Sequence, residues 1–264
     1  MDSNLQDLIQ QLIPQGTSLQ VKPFEPSCPI CEDDGVIHIV DANGVKWAKK
    51  CKCRIAAEAD RRIRASGLGR IIDEWTLESF KAEEPWQQRM KAKVEEFLSA
   101  VRKGDKPWLY IGGAVGSGKS HLCTAACGEL LRDGCYVRYF QWLTESRKLK
   151  GFASDPDEFQ EVLGKYINTE ILYIDDLFKS KRNESVWVNP SDADIRLAFE
   201  IINQRYYENK ITIISAEWML VDDLLPIDEG TFSRVYEKTR NFRVEIKREL
   251  GRNYRMKHIE EATP

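Results

Sequence analysis

Residues 108–121 read WLYIGGAVGSGKSH and contain the pattern G-x-x-x-x-G-K-[ST] from Gly113 to Ser120. The apolar run at 108–111 predicts a buried strand, and a helix is predicted to follow over residues 121–132. A glycine-rich turn between a strand and a helix directs backbone N–H groups toward phosphates, and the helix N-terminus adds a positive dipole. The stretch therefore predicts a P-loop, the phosphate-binding element of many nucleotide triphosphatases.

The members of this P-loop have distinct expected roles. Lys119 is expected to contact the β- and γ-phosphates of ATP, and Ser120 is expected to bind Mg²⁺. The residues expected to bind the nucleotide are Gly113, Ala114, Val115, Gly116, Ser117, Gly118, Lys119, Ser120 and His121.

A second apolar strand, predicted over 171–175, leads into two carboxylates, Asp175 and Asp176. A buried strand of a P-loop sheet delivers such a carboxylate to the edge where Mg²⁺ binds. We expect Asp175 to act on the metal together with Ser120, and Asp176 to polarise the attacking water as a general base. The alternative for Asp176 is a helix cap or an ordinary loop residue.

Strands and helices alternate through the rest of the chain, which predicts a parallel sheet with helices on both faces. Further strands are predicted at 135–140 and 211–214, and further helices at 4–13, 54–64, 91–102, 141–150, 157–166 and 192–208.

Four of the seven cysteines lie in two pairs near the N-terminus. Cys28 and Cys31 form a C-x-x-C pair, and Cys51 and Cys53 form a C-x-C pair. Between the pairs, alternating residues and an Asn-Gly turn predict a hairpin. Four thiolates brought together by a hairpin are the ligand set of a zinc ribbon, here over residues 28–53. A redox-active C-x-x-C is the alternative, but about 35 residues with little core need a metal to hold them together.

Composition excludes some classes of protein. The chain has 264 residues, of which 42% are hydrophobic and 31% charged, so it is not a disordered chain. The net charge of −3 excludes a uniformly basic nucleic-acid binder, although segments 46–70 and 234–257 each hold nine lysines and arginines against two and three acidic residues. The length favours two domains, residues 1–66 and 67–264. The chain shows neither a signal peptide nor a membrane span, so we expect a cytoplasmic protein with no membrane partner.

Together these residues resemble the DnaC/DnaI-type replicative helicase loaders of the AAA+ class, with the greatest likeness to phage or prophage members. The P-loop and the strand that ends at Asp175 and Asp176 are shared with many ATPases. The zinc cysteines and several short segments make the resemblance specific. These segments are WTLESF at 75–80, IDDLFK at 174–179, AFEIINQRY at 198–206, TIIS at 212–215, FSRVY at 232–236 and NYR at 253–255.

The resemblance implies an AAA+ core with a reduced C-terminal lid and an N-terminal module that binds the replicative hexameric DNA helicase. It implies that ATP drives the loading of this helicase onto single-stranded DNA, in a ring or spiral of subunits. It also implies that Arg234 is an arginine finger, which would neutralise charge on the γ-phosphate of a neighbouring subunit. The alternative for Arg234 is a surface ion pair.

Glu217 departs from the pattern of these loaders. Many members have a polar asparagine there that senses the γ-phosphate. A carboxylate beside Asp175, Asp176 and a triphosphate is repelled unless it is protonated or turned away. Slow or partner-dependent hydrolysis is therefore expected, and Arg255 is a candidate second phosphate sensor.

Two basic segments, 147–150 and 179–182, follow predicted strands at places where ring ATPases direct loops at a central pore. We expect Lys179, Lys181 and Arg182 to contact single-stranded DNA, the alternative being a solvated face. Three other functions stay open: an ATP-binding adaptor with little hydrolysis, a transposition-type AAA+ helper ATPase and a small-molecule kinase.

Overall fold

The computed structural model describes residues 27–40, 44–152, 154–179, 189–249 and 251–256. The helix predicted at 4–13 and the side chains of Lys181 and Arg182 lie outside the described residues. The chain divides into two compact units, Met1–Ala56 and Ala57–Pro264. The division falls within a helix, ten residues before the predicted boundary at 66, and the functional division into 1–66 and 67–264 stays a prediction.

The first unit contains the predicted hairpin. Strands β1 (Val36–Val40) and β2 (Lys46–Lys50) pair antiparallel, with Val36 opposite Lys50 and Val40 opposite Lys46. Helix α1 (Lys52–Ser66) begins directly after the hairpin. The small core of this unit consists of cysteines with Ile37 packed against them.

The second unit is built on five parallel strands in the spatial order β4-β5-β6-β3-β7. The strands are β3 (Trp108–Gly113), β4 (Val137–Gln141), β5 (Ile171–Leu177), β6 (Ile211–Ala216) and β7 (Arg243–Ile246). The helices are α2 (Ile71–Glu74), α3 (Pro85–Arg102), α4 (Lys119–Arg132), α5 (Trp142–Gly151), α6 (Pro156–Ile167), α7 (Asp192–Tyr207) and α8 (Glu229–Lys238), with a π-helical turn at Leu220–Leu224 and a 3-10 turn at Tyr254–Met256.

Alternate side chains of the strands face two separate cores. In β3, Leu109 and Ile111 join the core that contains Met90 of α3, whereas Trp108 and Tyr110 join the opposite core. Each face of the sheet is thus covered by helices, because both faces of a central parallel strand are apolar. The predicted α/β class with helices on both faces is confirmed.

Strand β7 is the one strand of this sheet that the sequence did not predict, and the helices α2 and α8 were not predicted either. This strand has only four residues, and it pairs with β3 from Tyr110 opposite Arg243 to Gly113 opposite Ile246. Its alternation of charged and apolar residues fits an edge strand, but so short a run is hidden within a basic segment. Among the described residues, no helix is long and apolar enough to cross a membrane.

Candidate nucleotide site and cysteine cluster

The predicted P-loop connects the end of β3 to the start of α4. Gly113, Gly116 and Gly118 have φ values of +100°, +71° and +89°. A Cβ on Gly113 would lie 2.0 Å from the carbonyl oxygen of Ile246, and a Cβ on Gly116 would lie 1.9 Å from Asn253 Oδ1. Glycine is therefore required at these positions by the positive φ, and at Gly113 and Gly116 also by the close approach of Ile246 and Asn253.

Lys119 is buried against the P-loop. Its Nζ donates hydrogen bonds to the carbonyl oxygens of Gly113 (3.1 Å) and Ala114 (2.6 Å). Burial lowers the pKa of Lys119, and the nearby carboxylates of Asp176 and Glu217 oppose that effect. The cation is thus held within the loop, at the place where the motif requires it for phosphate contact.

Asp175 is a buried carboxylate surrounded by hydroxyl groups. Ser120 Oγ donates to its Oδ1 at 2.9 Å, the pairing that the sequence predicted. Oδ1 also accepts from Ser215 (2.5 Å) and Tyr173 (2.7 Å), and Oδ2 accepts from Tyr139 (2.8 Å). A carboxylate and a hydroxyl side by side are hard oxygen ligands, so this pair fits Mg²⁺. Tyr139 and Tyr173 lie in apolar strands, so the sequence alone does not show that their hydroxyl groups donate hydrogen bonds to Asp175.

Asp176 lies where β5 departs from its regular pairing with β6. The register shifts between Ile174 and Leu177, and Asp176 has a φ of +56°. Its backbone N–H donates to Ser215 Oγ at 3.0 Å, which supports a conformation that non-glycine residues adopt rarely. Burial and then the charge of Asp175 raise the pKa of Asp176, and its hydrogen bond from Lys179 opposes them.

Lys179 lies in the same cavity. Its Nζ is 2.7 Å from Asp176 Oδ2 and 3.1 Å from Glu217 Oε1. Burial alone would lower the pKa of Lys179, but the interactions with the two carboxylates raise it above its ordinary value. The repulsion expected at Glu217 is therefore relieved by an ion pair, a solution that the sequence did not suggest.

The cavity around these groups has a volume of about 300 Å³. Part of its lining is aromatic: His121 stacks on Trp75 at 5.6 Å between ring centroids, and Phe80 meets the edge of His121 at 5.3 Å. His121 Nε2 lies 2.9 Å from the carbonyl oxygen of Thr76, and burial lowers the pKa of His121. The lining residues are Trp75, Ser79, Phe80, Lys81, Gln87, Val115, Gly116, Ser117, Gly118, Lys119, Ser120, His121, Asp176, Lys179, Glu217, Tyr254 and Arg255.

A cavity lined by both cations and aromatic rings fits a nucleotide. Backbone N–H groups and lysines suit the phosphates, and the rings suit a base. The sequence did not assign Trp75, Phe80 or Gln87 to the site, because they precede the P-loop by 26 to 38 residues.

Arg234 lies on α8, and it is not among the residues that line this cavity. Its Nη1 donates to the carbonyl oxygen of Gly230 at 2.8 Å, and its guanidinium lies 5.0 Å from the ring centre of Phe199 and 5.7 Å from that of Tyr206. Within the described residues, Arg234 forms none of the carboxylate ion pairs that its alternative interpretation required.

The four predicted zinc ligands come together in the first unit. The sulfur atoms of Cys28, Cys31, Cys51 and Cys53 all lie within 4.8 Å of one another. The Cys28–Cys51 and Cys31–Cys53 distances are 3.7 and 3.3 Å. A zinc ion with Zn–S bonds of about 2.3 Å requires sulfur atoms about 3.8 Å apart, so the cluster fits this metal.

Backbone N–H groups favour the thiolate form of one cysteine of the cluster, Cys28. The N–H groups of Ile30 and Cys31 lower the pKa of Cys28 to about 7, whereas the hydrogen bond with Cys31 raises the pKa of Cys53 to about 12. Asp33 Oδ1 accepts the N–H of Cys28 at 2.9 Å and fixes the first turn.

The parallel sheet, its strand order and the P-loop cavity define an AAA+ nucleotide-binding fold with a small cysteine-rich module. No family model matches the sequence. The XkdC protein of the phage-like element PBSX of Bacillus subtilis is 28% identical over 242 residues, which cover 88% of this chain and 85% of that protein. YqaM of the same organism is 26% identical over 207 residues, and the match spans 64% of its length.

Solved structures share the fold at low sequence identity. A DnaC helicase loader has a TM-score of 0.51 at 21% identity, covering 69% of this chain and 100% of that chain. DnaI has a TM-score of 0.53 at 19% identity, covering 69% and 94%. The replication initiator DnaA, bound to AMPPCP and single-stranded DNA, has a TM-score of 0.51 at 22% identity, covering 71% and 54%. The resemblance to DnaC/DnaI-type loaders is confirmed in the fold, and the relative in a phage-like element agrees with a phage-associated protein.

Proposed function

We propose that this protein is an ATP-dependent loader that places a replicative hexameric DNA helicase on single-stranded DNA in the cytoplasm, in a phage-associated context. The observation that carries the proposal is the cavity in which the P-loop, the Ser120–Asp175 pair and Asp176 meet, within a fold shared with DnaC and DnaI. In this proposal the four cysteines bind zinc, and the N-terminal module of residues 1–66 that contains them binds the helicase.

In this proposal the P-loop N–H groups and Lys119 bind the phosphates of ATP. Ser120 and Asp175 hold Mg²⁺, which neutralises phosphate charge when bound. Asp176 orients the attacking water and accepts its proton. Arg234 completes the site of a neighbouring subunit in a ring or spiral, where its charge opposes the charge that develops on the γ-phosphate.

An ATP-binding adaptor with little hydrolysis is the second candidate, and one contact favours it. Lys179 Nζ donates a hydrogen bond to Asp176 Oδ2 at 2.7 Å, so a cation already engages one oxygen of the proposed general base. Hydrolysis then requires that the helicase, DNA or a second subunit shift the lysine.

Substitution Asp176→Asn separates the two candidates. It removes the base but keeps the shape of the residue, so we expect ATP binding to be retained and hydrolysis to fall by at least about 100-fold, the usual contribution of a general base. ATP turnover is measured on the full chain with and without single-stranded DNA and the hexameric helicase of the same cell. Asp157→Asn, a change in the first turn of α6 away from the cavity, serves as the matched control.

Absence of turnover in the native chain under every one of these conditions would favour the adaptor. A chain that binds ATP but retains neither helicase nor single-stranded DNA would contradict the loader, and the transposition-type helper would then take its place.

A further inference from the structure

Lys179 and Glu217 come from loops that leave the sheet side by side. Lys179 follows β5, and Glu217 follows β6, which lies between β5 and the P-loop strand β3. Both loops therefore leave the sheet at the edge where the P-loop begins, and both side chains line the cavity with Lys119.

The lysine is the accessible member of this group. Its side chain is 40% exposed, whereas those of Asp176 and Glu217 are 23% and 12% exposed. The side chain of Lys179 is thus more accessible to an incoming anion than either carboxylate side chain.

The charges of the cavity require such a cation. Asp175, Asp176 and Glu217 bring three carboxylates to the end of the site where the terminal phosphate would lie. Each unpaired carboxylate near a triphosphate would repel it, and the repulsion is strong in a partly buried site. Lys119 is engaged by the P-loop carbonyls, whereas Lys179 pairs directly with Asp176 and Glu217.

We propose that Lys179 is a second phosphate-binding cation of this site, directed at the γ-phosphate, and that Glu217 is the positioning residue that holds it there. The inference rests on the proposed binding of ATP in this cavity. The lysine and the glutamate together take the place of a single polar sensor at the end of β6. The consequence is a preference for ATP over ADP that depends on Lys179.

The test is the affinity of the full chain for ATP and for ADP, each with Mg²⁺, measured by displacement of a fluorescent nucleotide. Lys179→Met is expected to weaken ATP binding about tenfold, the loss of one charge-assisted hydrogen bond, and to change ADP binding much less. Lys179→Arg keeps the charge and is expected to retain the preference for ATP. Lys148→Met is the matched control, because Lys148 pairs with Glu145 on α5 and does not line the cavity.

The double variant Lys179→Met/Glu217→Gln distinguishes direct contact of Lys179 with the γ-phosphate from simple neutralisation of the charge of Glu217. It removes the repulsion of Glu217 together with the cation, so overall affinity is expected to recover while the preference for ATP stays reduced. If the preference returns to the native value, Lys179 only shields Glu217, and its contact with the γ-phosphate is refuted. The same holds if Lys179→Met weakens ATP and ADP equally.

The control for folding is thermal unfolding, and Lys179→Gln, which can still donate to both carboxylates, replaces Lys179→Met if that variant does not fold. A native chain that binds neither nucleotide would contradict the proposed function itself. A native chain that binds both, with an unchanged ratio in the lysine variants, would contradict the role of Lys179 alone.

Discussion

Arg205 is a fully buried charged side chain in the last turn of α7. No carboxylate pairs with it among the described residues, and its guanidinium instead satisfies backbone carbonyls at the end of α6 and the start of β6. Its acceptors are the carbonyl oxygens of Tyr166, Ile167, Thr169, Glu170 and Ile211 and the hydroxyl of Thr212. Burial lowers the pKa of Arg205 to about 9, so the group is still charged at neutral pH. One side chain thus ties the helix to the loop that leads into β5.

We predict that Arg205→Met lowers the free energy of unfolding by about 3 kcal/mol, because buried carbonyl groups lose their donor. Chemical denaturation of the full chain measures the change. Arg102→Met is the matched control: Arg102 pairs with Glu129 and Asp133 at the surface, and such pairs contribute about 1 kcal/mol or less. Equal losses in the two variants would show that the carbonyl contacts of Arg205 are not what stabilises this region.

At the scale of elements, the sequence was sufficient to predict those features whose residues lie close together along the chain. The P-loop and the cysteine pairs each lie within a few residues, and their spacing alone determines which atoms meet. The β5–β6 neighbourhood is different, because forty-one residues separate Asp176 from Glu217. Lys179 was therefore expected at a DNA-facing surface, and only the sheet order shows that it enters the cavity.

Strand β7 illustrates the same limit. Its four residues carry no pattern strong enough to distinguish a strand from a loop, and its pairing with β3 depends on the space that Gly113 leaves for Ile246. Tyr139 and Tyr173 were hidden for a related reason, since a tyrosine in an apolar strand resembles any other core residue until its hydroxyl is located.

The cysteine module gives a prediction at this scale. Removing zinc by a chelator, or one ligand by Cys51→Ser, is expected to unfold residues 27–56, because metal binding supplies about 10 kcal/mol or more to such modules. Metal analysis should find one zinc ion per native chain and none in the variant, and hydrogen exchange should show lost protection in the hairpin.

Cys135→Ser is the control for this change, because Cys135 is a half-buried thiol outside the cluster. It is expected to retain one zinc ion per chain. ATP affinity is expected to be unchanged in the Cys51→Ser variant, since the described residues that line the cavity all belong to the second unit. A native chain without zinc would contradict the proposed metal site.

At the scale of the whole molecule, Arg234 is absent from the described residues that line the cavity. Arg255 lines that cavity, whereas Arg234 lies on α8 with its guanidinium near aromatic rings of α7. Because Arg234 does not line the described cavity of its own chain, it would have to contact the phosphate bound to another subunit. The proposed ring or spiral therefore makes a prediction that a single subunit cannot satisfy.

We predict that Arg234→Ala and Lys119→Ala chains, each inactive alone, regain ATP hydrolysis when they are mixed. In the mixture, an intact P-loop on the Arg234→Ala chain meets an intact Arg234 on the Lys119→Ala chain, so some interfaces become complete. Turnover is measured across mixing ratios, and it should peak near equal amounts because complete interfaces are then most frequent. Mixing the Asp176→Asn and Lys119→Ala chains is the control, because both defects lie in the same cavity and no interface can be complete. Recovery that is no greater than in this control would show that Arg234 does not act between subunits.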